Sequence, residues 1–523
     1  MNRAEPPSEG PESAPPAPRT APERATGPGT RRDLVVSGLV LAIAGLCALR
    51  FVRLGEWSLW IDEALTLSDA LHDKGQGNPL GYRLFSLWYE LFETRPSEFL
   101  MRLPGAAFGA LSLWLCALAF RGVASPRVAL ISAVLLGSSS WHLYWSQNAR
   151  FYTLALALSL SGACLFLRAF QRDRAWLGLL GLLLCGSAAL AHPTSAFLLP
   201  GLILSAPLEC WVAARALRRK AAAAAVAQGP AAQVSGDRGP CRLALVCILL
   251  AVTGIVVELV TGTARERLLA WQGKKLPSGA AHLILSSGFY FTPLLLTGAL
   301  AGAVLGLRRG SRAVRIAVLA VVCDGLLAVF LAGQSRMTAQ YVFVLLPWVA
   351  FLAAYLVEPH AAGSAESERL GKRPLLDPLR TAYLGVLVLP ALTTCLLQLS
   401  VRAGERPRWR AAYRVVFEQS QPGDLVMGMA AAVGEYYLDP DARELRYPRK
   451  LVYLDRDRWE VAERWDRTGR PTWFVVNHEE LEDWRRAERE SFERVLREDC
   501  RQVARFPLIV ESRDLSVFVY YRE

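Results

Sequence analysis

The chain of 523 residues is 53% hydrophobic and only 20% charged, below the roughly 25% charged share of soluble domains, and its apolar residues come in long blocks, which excludes one soluble globular domain. A formal charge of +12 raises the question of nucleic acid, but Lys and Arg gather in particular loops between the blocks, not in a basic stripe interleaved with aromatics, so no nucleic-acid partner is expected. The ten cysteines lie mostly inside apolar blocks, without a C-x-x-C pair, and predict neither a disulfide framework nor a thiolate zinc site.

Residues 1–33 open the chain as a Pro-, Glu-, Ala- and Thr-rich tail with almost nothing to bury, read as disordered and cytoplasmic. The apolar block from Leu34 follows this polar leader without a short basic n-region, so it reads as a retained first span. Apolar blocks long enough to cross a bilayer as helices then predict spans at 34–53, 103–120, 125–142, 150–169, 175–191, 194–213, 242–260, 281–306, 314–332, 341–357 and 380–400. The fold expected is therefore mainly α: a polytopic membrane domain of about 11 transmembrane helices over 34–400, followed by a small α/β extracytoplasmic domain over 401–523.

Alternate loops carry the basic clusters, among them Arg168/Arg172/Arg174, Arg215/Arg218/Arg219 and Arg308/Arg309/Arg312. By the positive-inside rule these face the cytoplasm, and the opposite loops face outward. Residues 54–102 form the first exterior loop, where "NPLGYRLFSLWYELF" places Leu80, Leu84, Leu87 and Leu91 near one helical face, as for a helix lying along the interface. The stretch "TARERLLAWQGKKLPSG" predicts a second interfacial helix in the 261–280 loop. After residue 401 the pattern alternates: helix in "RWRAAYRVVFEQS", strands in "DLVMGMA", "RKLVYL" and "PTWFVVN", a long helix over 479–504, then strands in "FPLIVES" and "LSVFVYYR". No Gly-rich phosphate loop occurs in that region.

Within "WSLWIDEALTL" two adjacent carboxylates, Asp62 and Glu63, follow Trp57 and Trp60 on the exterior side. Acidic residues often do no more than cap a helix, but a second polar cluster faces the same side in "WSQNARFYTL", with Gln147, Asn148, Arg150 and Tyr152. An arginine there either snorkels or clamps a phosphate with its planar fork. His192 in "AHPTS" and Arg336 with Tyr341 in "SRMTAQYVFVLLP" complete an inventory suited to an anionic lipid headgroup.

These segments, in this order, resemble the integral-membrane glycosyltransferases of the C-type fold, in particular the bacterial relatives of the protein O-mannosyltransferases and the lipid A aminoarabinose transferase. The resemblance runs over roughly residues 34–360, and the tail is similar to the extracytoplasmic extension of some members. It implies transfer of a sugar from a polyprenyl-phosphate donor to a cell-envelope acceptor at the outer face of the cell membrane, usually with inversion. Carried onto this chain, Asp62 is the general base and Glu63 orients the acceptor or holds a cation. Arg150, Tyr152 and Arg336 bind the donor phosphate, while Gln147, Asn78, His192 and Tyr341 position donor or acceptor. The resemblance allows a divalent metal ion as cofactor, with Glu63 and His192 as candidate ligands. Asn78 stands where relatives commonly have histidine. The contrasting readings are a flippase for lipid-linked saccharide and an inactive envelope scaffold.

Overall fold

The computed structural model describes residues 28–72, 78–92, 95–172, 174–228, 241–262, 279–334, 337–358, 378–438, 451–454, 469–482, 484–510 and 513–523. The second interfacial helix predicted in the 261–280 loop, Arg336, and most of the N-terminal tail lie outside them. Helices dominate, and the chain is a multi-pass membrane protein by their length and apolarity. Six described helices suffice to cross a bilayer unaided: Glu98–Phe120, Tyr152–Arg172, Pro193–Ala216, Arg242–Leu259, Arg312–Ala332 and Pro378–Leu399.

Two predicted spans are broken. The block read as 125–142 splits into Pro126–Ser138 and Ser140–Ser146, bent by 69°, and the block read as 281–306 splits into Gly279–Phe291 and Pro293–Arg309, bent by 101°. Ser139 ends one helix in extended backbone and caps the next through His142 N–H. Thr292, at positive φ, caps its following helix through Leu295 N–H, with Pro293 at the first helical position. Counting each pair as one span gives eight; the shorter apolar helices Leu34–Leu49, Ala175–Ala191 and Ala339–Tyr355 fall on the other three predicted spans. The last of these starts as a 3-10 turn over Ala339–Leu345 before Leu346–Tyr355 becomes α-helical.

Small residues bring the spans close where lipid offers no competing hydrophobic drive. Gly298, Gly302 and Gly306 recur every four residues on Pro293–Arg309, and a Cβ on Gly302 would collide with the Leu352 carbonyl of the neighbouring helix. Arg315 binds Glu209 at 2.6 Å, an ion pair joining Arg312–Ala332 to Leu198–Gln228.

The segment predicted as the first exterior loop is mostly helical, with Ile61–Leu71 and Pro79–Tyr89. On the second helix Gly81, Phe85 and Tyr89 are buried, Leu80 and Leu87 are exposed, as is Leu91 just beyond its end, and Leu84 is half-buried against Leu154, Ala155 and Ala191. The C-terminal sheet runs in the order β2 (Leu451–Tyr453), β1 (Leu425–Gly428), β3 (Thr472–Asn477), β7 (Val517–Arg522), β4 (Arg501–Phe506). The β1 strand pairs in parallel with both β2 and β3, whereas β7 is antiparallel to β3 and β4. Every residue of β3 is buried, as its unbroken apolar run requires of a central strand. The long helix predicted over 479–504 is instead His478–Glu482, Arg486–Glu498 and the edge strand β4, because sheet pairing claims "RQVARF". Among its described residues the run "FPLIVES" gives Phe506 to the end of β4 and Ile509–Val510 to β5, which pairs with β6 (Arg513–Asp514).

This sheet does not stand apart. Leu67, Phe85, Tyr89, Met101 and Phe151 share one apolar core with Trp409, Tyr413, Val426 and Phe474. Polar ties follow the same seam: Tyr437 Oη accepts from Leu59 N–H at 2.8 Å and donates to Glu98, and Arg410 binds Glu98 at 2.5 Å. Replacing the fully buried Phe474 by Ala should therefore cost about 3–5 kcal/mol and also loosen residues 54–102. Limited trypsin digestion should show earlier cleavage at Arg83; unchanged cleavage there would mean that the two segments fold independently.

Candidate active site

Asp62 and Glu63 occupy the first turn of Ile61–Leu71, about 100° apart around the helix axis. One therefore points with Leu67 and Ala70 into the core, and the other with Thr66 and Asp69 toward Arg150 and Tyr82.

Glu63 is the inward one, with no exposed surface. Its Oε1 accepts from Arg102 Nε at 2.8 Å and from Ala149 N–H at 2.9 Å. Its Oε2 accepts from Arg102 Nη2 at 2.8 Å and Trp60 N–H at 3.3 Å, with Arg406 Nη1 at 3.5 Å. Burial alone would raise this carboxyl, but Arg102 and Arg406 outweigh it and hold it at about 2. Arg102, equally buried, spends its other donors on the carbonyls of Leu54, Trp57 and Ser58 at 2.8–3.0 Å. The sequence suggested Glu63 as the acceptor-orienting group or a cation ligand; here both its oxygens are committed to protein donors and none of its surface is exposed. It is the internal anchor of the loop.

Asp62 is half-buried, and its carboxylate has no hydrogen bond or ion pair among the described residues. Its backbone carbonyl accepts from Thr66 Oγ1 at 2.7 Å and Arg150 Nη1 at 3.4 Å, and Arg150 Nη1 also donates to Thr66 Oγ1 at 2.7 Å. The Arg150 Nε is buried without a partner. Tyr82 Oη donates to Asp69 at 3.2 Å, and Tyr82 also interacts with Arg150.

The four residues Gln147–Asn148–Ala149–Arg150 read the loop one by one. Gln147 Nε2 donates to the Arg50 and Val52 carbonyls, Asn148 Oδ1 accepts from Trp60 Nε1 at 2.9 Å, Ala149 N–H holds Glu63, and Arg150 holds Thr66. Gln147 is thus a buried brace through Nε2, while its Oε1 is buried without a partner. Tyr152 lies with its ring centroid 3.8 Å from Trp145 and 4.1 Å from His192, and it interacts with Asp62 and Tyr341. His192 ends one helix and heads the Pro193–Phe197 turn, its Nδ1 bonded to Thr194 Oγ1 at 2.7 Å. Burial first, then the Arg150 charge, pushes it down to about 3, so the imidazole is neutral at neutral pH. Asn78 heads Pro79–Tyr89 with its amide oxygen buried and unpartnered.

The structure thus gathers Asp62, Arg150, Tyr152, His192 and Tyr341, and sets Glu63 and Gln147 behind them as supports. The described residues contain no cluster of three His, Cys, Asp or Glu that could hold a metal ion. Both Glu63 oxygens are engaged by Arg102, Ala149 and Trp60, and His192 uses Nδ1 on Thr194.

Sequence reasoning missed Arg102, Asp69 with Tyr82, and Arg406. Arg102 carries a legible signal, a lone cation inside the apolar "EFLMRLPG". Arg406 carries none: it lies 343 positions from Glu63 (406 − 63) and packs its guanidinium 5.3 Å from the Trp60 ring and 5.0 Å from Tyr144.

Residues 76–228 match the family described as dolichyl-phosphate-mannose-protein mannosyltransferase. No curated protein sequence matches the chain. Among solved structures, ArnT from Cupriavidus metallidurans in the apo state aligns with a TM-score of 0.53 at 14% identity, over 93% of this chain and 98% of that one. The same enzyme bound to undecaprenyl phosphate gives 0.52 at 15%, with the same coverage. The archaeal oligosaccharyltransferase AglB from Archaeoglobus fulgidus, in complex with an inhibitory peptide and a dolichol-phosphate, gives 0.53 at 14% over 86% of this chain and 70% of that one. The chain has the C-type glycosyltransferase fold.

Breaking one member of the buried pair should be costly in a way that changing Asp62 is not. Glu63→Gln leaves Arg102 an uncompensated buried cation and should lose about 3–5 kcal/mol, whereas Asp62→Asn should stay within about 0.5 kcal/mol. Because the Glu63 carboxyl falls from its ordinary 4.5 to about 2 on folding, its stabilisation is complete above the higher value. It is lost as pH falls through the lower one. Thermal melts of purified protein between pH 7 and pH 3 should show that acid-dependent loss in the parent and not in Glu63→Gln.

Proposed function

We propose that this protein is a membrane glycosyltransferase that moves a sugar from a polyprenyl-phosphate donor to a cell-envelope hydroxyl at the outer face of the membrane. The observation that carries this reading is the placement of an unpaired carboxylate, Asp62, one helical turn from Thr66, whose hydroxyl holds Arg150. The C-type fold, the match over 76–228, and two structural neighbours solved with polyprenyl or dolichol phosphates support the donor class.

In this mechanism Asp62 takes the proton of the acceptor hydroxyl as its oxygen forms a bond to the anomeric carbon. The bond from that carbon to the phosphate oxygen breaks, and the electron pair leaves with the phosphate. Arg150 stabilises the charge that gathers there, joined by the Tyr152 and Tyr341 hydroxyls, in a setting where burial strengthens each interaction. His192, neutral, orients the Tyr152 ring and supplies no proton. Displacement from the face opposite the phosphate inverts the sugar. Residues 54–102 and the C-terminal sheet sit outside, since the alternate loops carry the Lys and Arg clusters.

A flippase for a lipid-linked saccharide is the second reading, and the two broken spans favour it, because discontinuous helices line transporter sites. The two readings separate on the sugar–phosphate bond, which only the transferase breaks.

With labelled polyprenyl-phosphate sugars and envelope extract as acceptor, Asp62→Asn should lower kcat by about 10²–10⁴ while the protein folds normally. Arg150→Ala should lower it by about 10²–10³, and Arg150→Lys should recover only part, lacking the planar fork. Near-parental turnover in Asp62→Asn would remove the general-base assignment. For orientation, Arg486 is 92% exposed in its side chain, and an Arg486→Cys variant in intact cells should react with a membrane-impermeant maleimide above the parental background. Labelling only after permeabilisation would place the sheet inside.

A further inference from the structure

The two helix breaks meet. Ser139, Ser140 and Trp141 from one and Tyr290 and Thr292 from the other line a single cavity of about 180 Å³, closed on a third side by Pro378–Leu399. It lies apart from Asp62 and Arg150 and belongs to none of the roles assigned above.

Its walls combine two chemistries. Trp141 stacks on Tyr290 at 3.8 Å and lies parallel to Tyr144 at 5.4 Å, which makes a ledge of flat rings. Around the ledge stand hydroxyls and the buried amide of Gln398. The Arg402–Glu405 ion pair stands at 3.4 Å on the wall nearest the C-terminal sheet, with Arg513 interacting with both Glu405 and Tyr290. Trp141 has its indole N–H buried without an acceptor. Thr292, a β-branched residue, is held at φ 66°, a conformation that costs energy and is maintained by its surroundings.

A flat apolar face ringed by hydrogen-bonding groups is the complement of a pyranose, whose C–H face is apolar and whose rim carries hydroxyls. The volume falls below the roughly 300–1,000 Å³ of pockets for drug-sized ligands, so it holds one ring and not an oligosaccharide. The helices flanking the cavity leave Leu294 and Leu396 exposed beside it and Phe289 exposed at its rim, the surface expected against acyl chains. An occupant reaching it from the bilayer is therefore carried on a lipid. The cavity also communicates with the Asp62 loop: Tyr144 on its wall and Trp60 beside Asp62 are bridged by the Arg406 guanidinium.

We infer that this cavity is a second binding site, which takes a single sugar ring borne on a membrane lipid. Its use as the acceptor site rests on the transferase reading; the binding itself does not.

The test is photolabelling of the full chain in lipid nanodiscs with an alkyl β-glucoside carrying a diazirine in its chain, compared with the same chain lacking the sugar. The glucoside should label peptides from residues 279–295 and 387–402. Excess dodecyl glucoside, but not dodecanol, should reduce that labelling at least fivefold. Trp141→Phe, which keeps an aromatic wall, and Gln398→Leu should each weaken labelling by a similar factor, with folding checked by thermal melts. Equal labelling by the sugarless probe, or no competition by dodecyl glucoside, would overturn the site. Asp62→Asn should label like the parent: intact labelling with parental transfer activity would sink the general-base reading alone, and normal transfer chemistry without labelling would sink this site alone.

Discussion

A carboxylate and a guanidinium with no access to water hold this structure in register. Taking Glu63 and Arg102 out of solvent is expensive, and the pair persists because nearly every donor and acceptor on both groups is used. Arg102 belongs to a span, Glu63 to the helix above it, Ala149 to the turn after a broken span, and Arg406 to the segment leading into the C-terminal sheet. Four stretches far apart in sequence are thereby fixed on one carboxylate. The catalytic candidate next to it inherits that rigidity without taking part in it.

The same economy governs the helix break at Ser139. Ending a helix inside a membrane strands its last carbonyls, and lipid offers nothing to satisfy them. Arg50 donates to the Gly137 carbonyl at 2.6 Å and meets His142 Nδ1 at 3.0 Å, while His142 Nε2 reaches Ser112 at 2.9 Å. Arg50, a basic residue at the C-terminal end of the first apolar helix, is thus a buried structural group. The bend it supports carries the chain into Gln147–Arg150, the segment that grips the loop. The strained Thr292 and the polar cluster of Arg50, His142 and Ser139 both sit where a helix stops.

The C-terminal sheet extends this logic across the chain. Its core is continuous with that of the first loop, and Gly404, at φ 65°, lets the backbone come close against Trp57 where a side chain would collide. That approach delivers Arg406 to Glu63. The sheet therefore acts as a clamp on the Asp62 loop as well as a unit with its own strands.

Local chemistry was enough to read much of this. Apolar runs announce the spans because a bilayer demands them, and unbroken or alternating apolar patterns announce most of the strands. The polar segments around Asp62 and Arg150 stand out because charge at the end of an apolar block is costly without a purpose. What sequence could not settle is which of two adjacent acids points inward. A helix turns 100° per residue, and only the position of Arg102 and Arg406 decides the face, so Glu63 became the anchor and Asp62 the free carboxylate. Likewise "RQVA" reads as the end of a helix by itself and becomes strand because β7 offers it a ladder, and the serine run before Trp141 and the Thr292–Pro293 pair mark where two apolar blocks break without giving the 69° and 101° bends they adopt. In each case the deciding term is a contact with a distant segment, which local pattern and propensity do not contain.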